Sequence, residues 1–157
     1  MYCAIKGFKH ERIEDAPFIG CVVIAATCEQ GCKGCCNQHL KNLPVQCWKI
    51  EDIISEVKSD KMNQGIIFGG LEWMELPRQL QFLMEASAEA GLKIMLYTSY
   101  DEDTVLKQIG CSIQSCSEKV PVYVKYGKYI HNRPKTEMFG ITLASDNQYI
   151  VKYGKAS

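Results

Sequence analysis

The chain has 157 residues, the length of one domain, so we expect residues 1–157 to fold as a single domain around one hydrophobic core. Its 18 basic residues balance its 18 acidic residues, and no basic run interleaved with aromatic residues points to nucleic acid as a partner. No apolar run approaches the roughly 18 residues that a membrane span needs, and the first residues lack the apolar stretch of a signal peptide. We therefore expect a cytoplasmic protein without a membrane or nucleic-acid partner.

Apolar runs alternate with amphipathic stretches along the chain, which is typical of an α/β fold with a mainly parallel sheet. Runs rich in apolar and β-branched residues predict buried strands at residues 18–26, 65–68, 93–97 and 120–124. Helical spacing predicts helices at residues 50–57, at residues 77–91 and, after the third strand, over a short stretch capped by Asp103. A loop and a last strand are predicted at residues 141–150. Since a βα unit takes roughly 25–30 residues, the length accommodates about five or six units.

Cysteine is the unusual component of the sequence, with nine residues. The odd number and the expected reducing compartment argue against a disulfide framework. Four of the nine crowd into residues 28–36, which indicates metal binding. The five scattered cysteines are predicted to be buried free thiols: Cys3, Cys21, Cys47, Cys111 and Cys116.

The crowded cysteines directly follow the first predicted strand. Cys28, Cys32 and Cys35 have the spacing C-x3-C-x2-C. Three thiolates on one tight loop can hold three irons of a [4Fe–4S] cluster, which leaves the fourth iron open to a small molecule. Three alternatives stay open: an electron-transfer cluster, a zinc site completed by Cys36, Cys47 or His39, and plain thiols without a metal.

Several segments together resemble a known family. The C-x3-C-x2-C spacing after the first strand is the signature of the radical S-adenosylmethionine (SAM) superfamily. Four segments are similar to motifs of one subgroup, the activating proteins of anaerobic ribonucleotide reductase. Its C-x-G-C-Y-N, Gly-Gly-acidic, Y-T-G-Y and G-S-x-N-Q motifs correspond to residues 32–37 (CKGCCN), 68–72 (FGGLE), 97–100 (YTSY) and 144–148 (ASDNQ). The segments follow the family's order and span nearly the whole chain.

The resemblance implies both a fold and an activity. The fold is a compact, open partial (β/α) barrel of the radical SAM type with a mainly parallel sheet. The activity is that of an activase, which cleaves SAM reductively at the [4Fe–4S] cluster and uses the 5′-deoxyadenosyl radical to generate a glycyl radical on a partner enzyme. That partner is expected to be the anaerobic ribonucleotide reductase, and a flavodoxin or a ferredoxin-type protein is expected to donate the electron. The short chain also favours a protein loop as substrate, because it leaves little sequence for loops that close over a small molecule.

Ligands of a parallel sheet bind at the carboxyl ends of its strands, where three of these motifs fall. The backbone of Gly69 and Gly70 is expected to contact the methionine part of SAM, so that a side chain at Gly70 would obstruct the ligand. Glu72 either reinforces this site, steadies its loop, or is a solvated loop carboxylate.

The remaining expected SAM contacts come from three segments. Thr98 and Ser99 offer hydroxyl groups to the carboxylate or the ribose of SAM, although such residues are also common where a strand turns. The resemblance places Gly34 and Cys36 against the adenine. Residues 147–148 either contact the adenosyl end or form a turn that caps a strand.

Three other functions stay open at this point. A radical SAM enzyme with a small-molecule substrate, like the enzyme that forms carboxy-deazaguanine, is one, and an activase of a different glycyl radical enzyme is another. The third is a non-catalytic zinc or iron–sulfur module, which would bind no SAM and would have no use for residues 69–70.

Overall fold

A mixed β-sheet forms the centre of the molecule in the computed structural model, which describes residues 1–29 and 37–154. The strands are β1 (Tyr2–Arg12), β2 (Gly20–Ala25), β3 (Gln46–Lys49), β4 (Gly65–Gly69), β5 (Lys93–Tyr97), β6 (Val122–Tyr126), β7 (Thr136–Met138), β8 (Ile141–Leu143) and β9 (Tyr149–Tyr153). The helices are α1 (Ile50–Ser59), α2 (Pro77–Glu89) and α3 (Glu102–Ser117), with short 3₁₀ turns at Gln38–Asn42 and Trp73–Glu75.

The sheet has a parallel centre and antiparallel edges. Its strand order is β3-β1-β2-β4-β5-β6-β9, while β7 and β8 form a separate hairpin. The neighbours β2, β4, β5 and β6 run parallel, whereas β1, β3 and β9 pair antiparallel. In the described part of the chain the edge strands β3 and β9 do not pair with each other, so the sheet is open. The expectation of about five or six βα units is wrong, because the chain uses both of its ends for antiparallel strands.

The order in which the parallel strands are added to the sheet decides which of its faces stays accessible. From β2 through β4 and β5 to β6, each strand is added on the same side of the previous one. Right-handed crossovers in one direction put all their helices on one face. Helix α2 accordingly packs between α1 and α3. The opposite face of the parallel strands is therefore left for loops and for a cleft.

Most predicted elements occur close to the predicted positions. The strand at residues 93–97 is confirmed as β5, and the helix opened by Pro77 is confirmed as α2. The cap predicted at Asp103 is wrong, since Asp101 has the extended backbone of a cap and its carboxylate accepts a hydrogen bond from Thr104 N at 2.7 Å. Helix α3 is also longer than the short helix expected.

The scattered cysteines divide into two groups. Cys3, Cys21 and Cys116 are buried free thiols, as predicted. Cys47 and Cys111 are exposed, so the prediction is wrong for these two. Cys47 belongs to β3, which is an edge strand of the sheet that the described residues form, and Cys111 lies on a solvent-facing position of α3.

Within residues 1–29 and 37–154, no helix combines the length and the apolar character that crossing a bilayer requires.

Candidate functional site

A cleft of about 550 Å³ extends over the accessible face of the parallel strands to their carboxyl ends. The cleft is lined by side chains from one face of β2, β4, β5 and β6. Residues paired in register on neighbouring strands point to the same face of the sheet. Six of the ten predicted site residues line the cleft: Cys28, Gly69, Gly70, Glu72, Thr98 and Ser99. The other four lie outside the described residues: Cys32, Gly34, Cys35 and Cys36.

The turn after β4 requires glycine at residue 70 because of its backbone conformation and its packing against β2. Gly70 has a φ of +82°, and a Cβ built on it would lie 2.7 Å from Ile24 Cγ2 on the neighbouring strand. A side chain there would overlap Ile24 whether or not a ligand is bound, so the contact of Gly70 with a ligand stays a prediction that a substitution at this residue does not isolate. At Gly69 the nearest atom to a built Cβ is Tyr97 Cδ1, at 3.7 Å. Tyr97 lines the cleft, so a side chain at Gly69 would enter the cleft. Gly69 is therefore a better position than Gly70 for a substitution that tests ligand binding.

Glu72 joins the turns that follow β4 and β5. Its side chain is buried, with 3% exposure, so it is not a solvated loop carboxylate. One carboxylate oxygen accepts from Thr98 Oγ1 at 2.9 Å and from Met74 N at 3.0 Å. The other accepts from Ser99 N at 2.8 Å and from Ser99 Oγ at 2.7 Å. Four donors compensate the burial of this carboxylate, and both predicted hydroxyl groups use their protons on it.

Cys28 lies partly buried at the rim of the cleft, three residues after β2 ends. Hydrogen bonds hold the residues on both sides of it. Thr27 O accepts from Glu72 N at 2.9 Å, and Glu29 N donates to Glu75 Oε1 at 2.7 Å. The segment that carries Glu72 and Glu75 therefore fixes the start of the cysteine loop relative to the end of β4.

Lys125 is a cleft residue that the sequence analysis missed. It lies on β6 with 8% exposure. Its ammonium nitrogen donates to Gly127 O at 3.1 Å and lies 5.8 Å from the centre of the Tyr97 ring. Burial raises the pKa of Tyr97, so its hydroxyl stays protonated, and it donates to Asp15 O at 2.6 Å. The sequence feature that indicates it is a lysine inside an otherwise apolar strand, VYVKY. An ammonium group is rarely buried unless it has a hydrogen-bond or ion-pair partner.

Of residues 147–148, Gln148 lines the cleft. Its amide donates to Gly127 O at 3.1 Å and accepts from Ser145 N at 3.2 Å, which closes a turn before β9. Asn147 donates to Lys128 O at 2.8 Å on the exposed side of this turn. The strand-capping turn, one of the two roles predicted for residues 147–148, is therefore present, and Gln148 also lines the cleft.

The donor chemistry around Cys28 fits an iron–sulfur cluster. Within residues 1–29 and 37–154, no group of three or more His, Cys, Asp or Glu side chains is placed to hold a metal ion. The two other ligands predicted from the sequence, Cys32 and Cys35, lie outside the described residues. A cysteine thiolate, as Cys28 can supply, is the usual protein ligand of an iron–sulfur cluster.

Comparison with known protein families agrees with this chemistry. The family model described as a 4Fe-4S single cluster domain matches residues 17–151. The chain belongs to this family. The match of the 4Fe–4S single cluster domain runs from just before β2 into β9 and includes the cysteine loop and the strand ends around the cleft. Membership supports an iron–sulfur cofactor and is compatible with a redox enzyme. Comparison with curated proteins and with solved structures gives no match.

Proposed function

We propose that this 4Fe–4S single cluster domain is a radical SAM activase, with its open sheet forming a partial (β/α) barrel of the radical SAM type. One observation carries the proposal. Cys28 after β2, residues 69–72 at the end of β4 and residues 97–99 at the end of β5, which all belong to the motif segments, line the same cleft at the carboxyl ends of the parallel strands. A zinc or electron-transfer module would need the cysteine loop alone, without an adjoining cleft built from two further strand ends.

Cys28, Cys32 and Cys35 would hold the cluster, with one iron left for SAM. A cluster held there would supply the electron for the reductive cleavage of SAM. The residues of the chain would bind and orient SAM and exclude water from the cleavage site. Glu72 contributes by fixing the turns after β4 and β5 relative to each other, since it accepts hydrogen bonds from both.

Two further features of the cleft suit SAM. Gly69 presents bare backbone at the end of β4, and a built Cβ at this residue would stand in the cleft. Lys125 supplies a positive charge on β6, which favours a ligand carboxylate in the same cleft. The adenine is proposed to contact Gly34 and Cys36, as the sequence resemblance implies.

The proposed substrate is a glycine of a larger enzyme, with anaerobic ribonucleotide reductase as the first candidate. The resemblance of residues 32–37, 97–100 and 144–148 to the activase motifs supports it. Hydrogen abstraction requires near contact between the glycine and the radical, so a loop of the partner must enter the cleft. A flavodoxin or a ferredoxin-type protein is the proposed electron donor.

Electron paramagnetic resonance (EPR) tests the proposal. Reconstituted protein is reduced, mixed with SAM and the candidate reductase without oxygen, and frozen for measurement. We expect a glycyl radical doublet that disappears when the radical glycine of the reductase is replaced by alanine. If SAM is cleaved but no glycyl radical forms on any candidate partner, a small-molecule substrate replaces the protein substrate in the proposal.

A further inference from the structure

The turn that follows β4 carries two glutamates with different surroundings. The four hydrogen bonds to Glu72 spread its negative charge over donors of the turns after β4 and β5. Glu75 accepts one hydrogen bond, from Glu29 N, and its second oxygen is buried without a hydrogen-bond partner among the described residues. Among the described residues, Glu75 therefore accepts fewer hydrogen bonds than Glu72.

The charge of Glu75 lies close to the first cysteine of the loop. Its bonded oxygen is 2.7 Å from the backbone nitrogen of Glu29, the residue that directly follows Cys28. Burial raises the pKa of Tyr100, and the charges of Glu72, Glu75, Cys28 and Glu29 raise it further. A carboxylate this close to Cys28 interacts electrostatically with a cluster held by that residue.

We propose that Glu75 is a positioning residue for the cluster, which holds the backbone after Cys28 and lowers the reduction potential through its charge. The inference rests on the proposed function, since it takes Cys28 as a cluster ligand. Two effects follow from the geometry. The hydrogen bond to Glu29 N fixes the backbone that directly follows Cys28, and the negative charge stabilises the oxidised cluster, which carries one electron less.

Two substitutions separate these effects. Glu75→Gln keeps the shape and an acceptor oxygen for Glu29 N but removes the charge, whereas Glu75→Ala removes both. Glu29→Gln is the matched control, because it removes a carboxylate next to the same cysteine but from an exposed side chain, where solvent screens it.

The measurements are a potentiometric titration of the reconstituted cluster, followed by EPR without SAM, and the rate of iron loss to a chelator. We expect Glu75→Gln to shift the midpoint potential to a more positive value than either wild type or Glu29→Gln, with iron loss near the wild-type rate. Glu75→Ala should show the positive shift together with iron loss several-fold faster than wild type.

Two outcomes would overturn the inference, and they are distinguishable. A normal cluster in Glu75→Gln, with the potential of wild type or of Glu29→Gln, overturns the role of Glu75 and leaves the proposed function intact. Wild-type protein that takes up no iron overturns the proposed function and the inference together.

Discussion

Replacing Gly70 by alanine tests whether the turn after β4 is shaped by the fold itself. The new Cβ would lie 2.7 Å from Ile24 Cγ2 and 3.2 Å from Ile24 Cβ, closer than van der Waals contact allows. Relieving that overlap costs about 1–3 kcal/mol. The positive φ of Gly70 adds about 1–2 kcal/mol for any residue with a Cβ. We expect Gly70→Ala to lose about 2–5 kcal/mol of unfolding free energy, which lowers Tm by roughly 4–20 °C in a chain of this size.

Gly69→Ala is the matched control, because Gly69 has no positive φ and its built Cβ has no neighbour closer than 3.7 Å. This variant should stay within about 1 kcal/mol of wild type. Urea unfolding of the iron-free protein, followed by circular dichroism, measures both variants without any influence of the cluster. If Gly70→Ala is as stable as Gly69→Ala, the steric argument is refuted.

Four further predictions follow from the site and the core. Gly69→Val should weaken SAM binding to the reduced protein while the iron content stays near wild type, and unchanged SAM affinity would remove Gly69 from the site. Glu72→Ala should lose at least about 2 kcal/mol in urea unfolding, since it leaves the buried Thr98 hydroxyl and other donors without their acceptor, and a loss near zero would contradict this. Cys28→Ala should abolish iron uptake in reconstitution while Cys47→Ala keeps it, and full iron in both would sink the cluster assignment. Burial raises the pKa of the Cys21 thiol to about 12, above the roughly 8.5 of an unfolded thiol. The stability of wild type relative to Cys21→Ala should therefore be constant below pH ~8.5 and fall as pH rises toward 12, and a constant difference would contradict the burial effect.

The predictable part of the fold is the part with uninterrupted apolar runs. Residues 93–97 (KIMLY) are buried between parallel neighbours and were predicted with the correct bounds. Strand β1 was missed because lysines and a histidine interrupt its apolar residues. One of these, Lys6, is buried and donates to Leu40 O and Lys41 O, a use of its charge that depends on the tertiary fold. Local pattern cannot show such a partner.

The same limit applies to the candidate site. The motifs identified which strand ends meet, because parallel strands bring their carboxyl ends to one edge of the sheet. They did not show that the hydroxyl groups of Thr98 and Ser99 donate to Glu72, since these residues are 26 and 27 positions away. Nor did they separate Gly69 from Gly70, because the difference lies in one φ angle and in the position of Ile24.

The cleavage of SAM is the most direct test of the proposed chemistry. Protein reconstituted with iron and sulfide under anaerobic conditions is incubated with dithionite and SAM, and 5′-deoxyadenosine is quantified by liquid chromatography and mass spectrometry, with Cys28→Ala as the control. We predict 5′-deoxyadenosine from wild type and none from Cys28→Ala. Wild-type protein that carries about four irons per chain but forms no 5′-deoxyadenosine would contradict the radical SAM proposal and favour a non-catalytic iron–sulfur module.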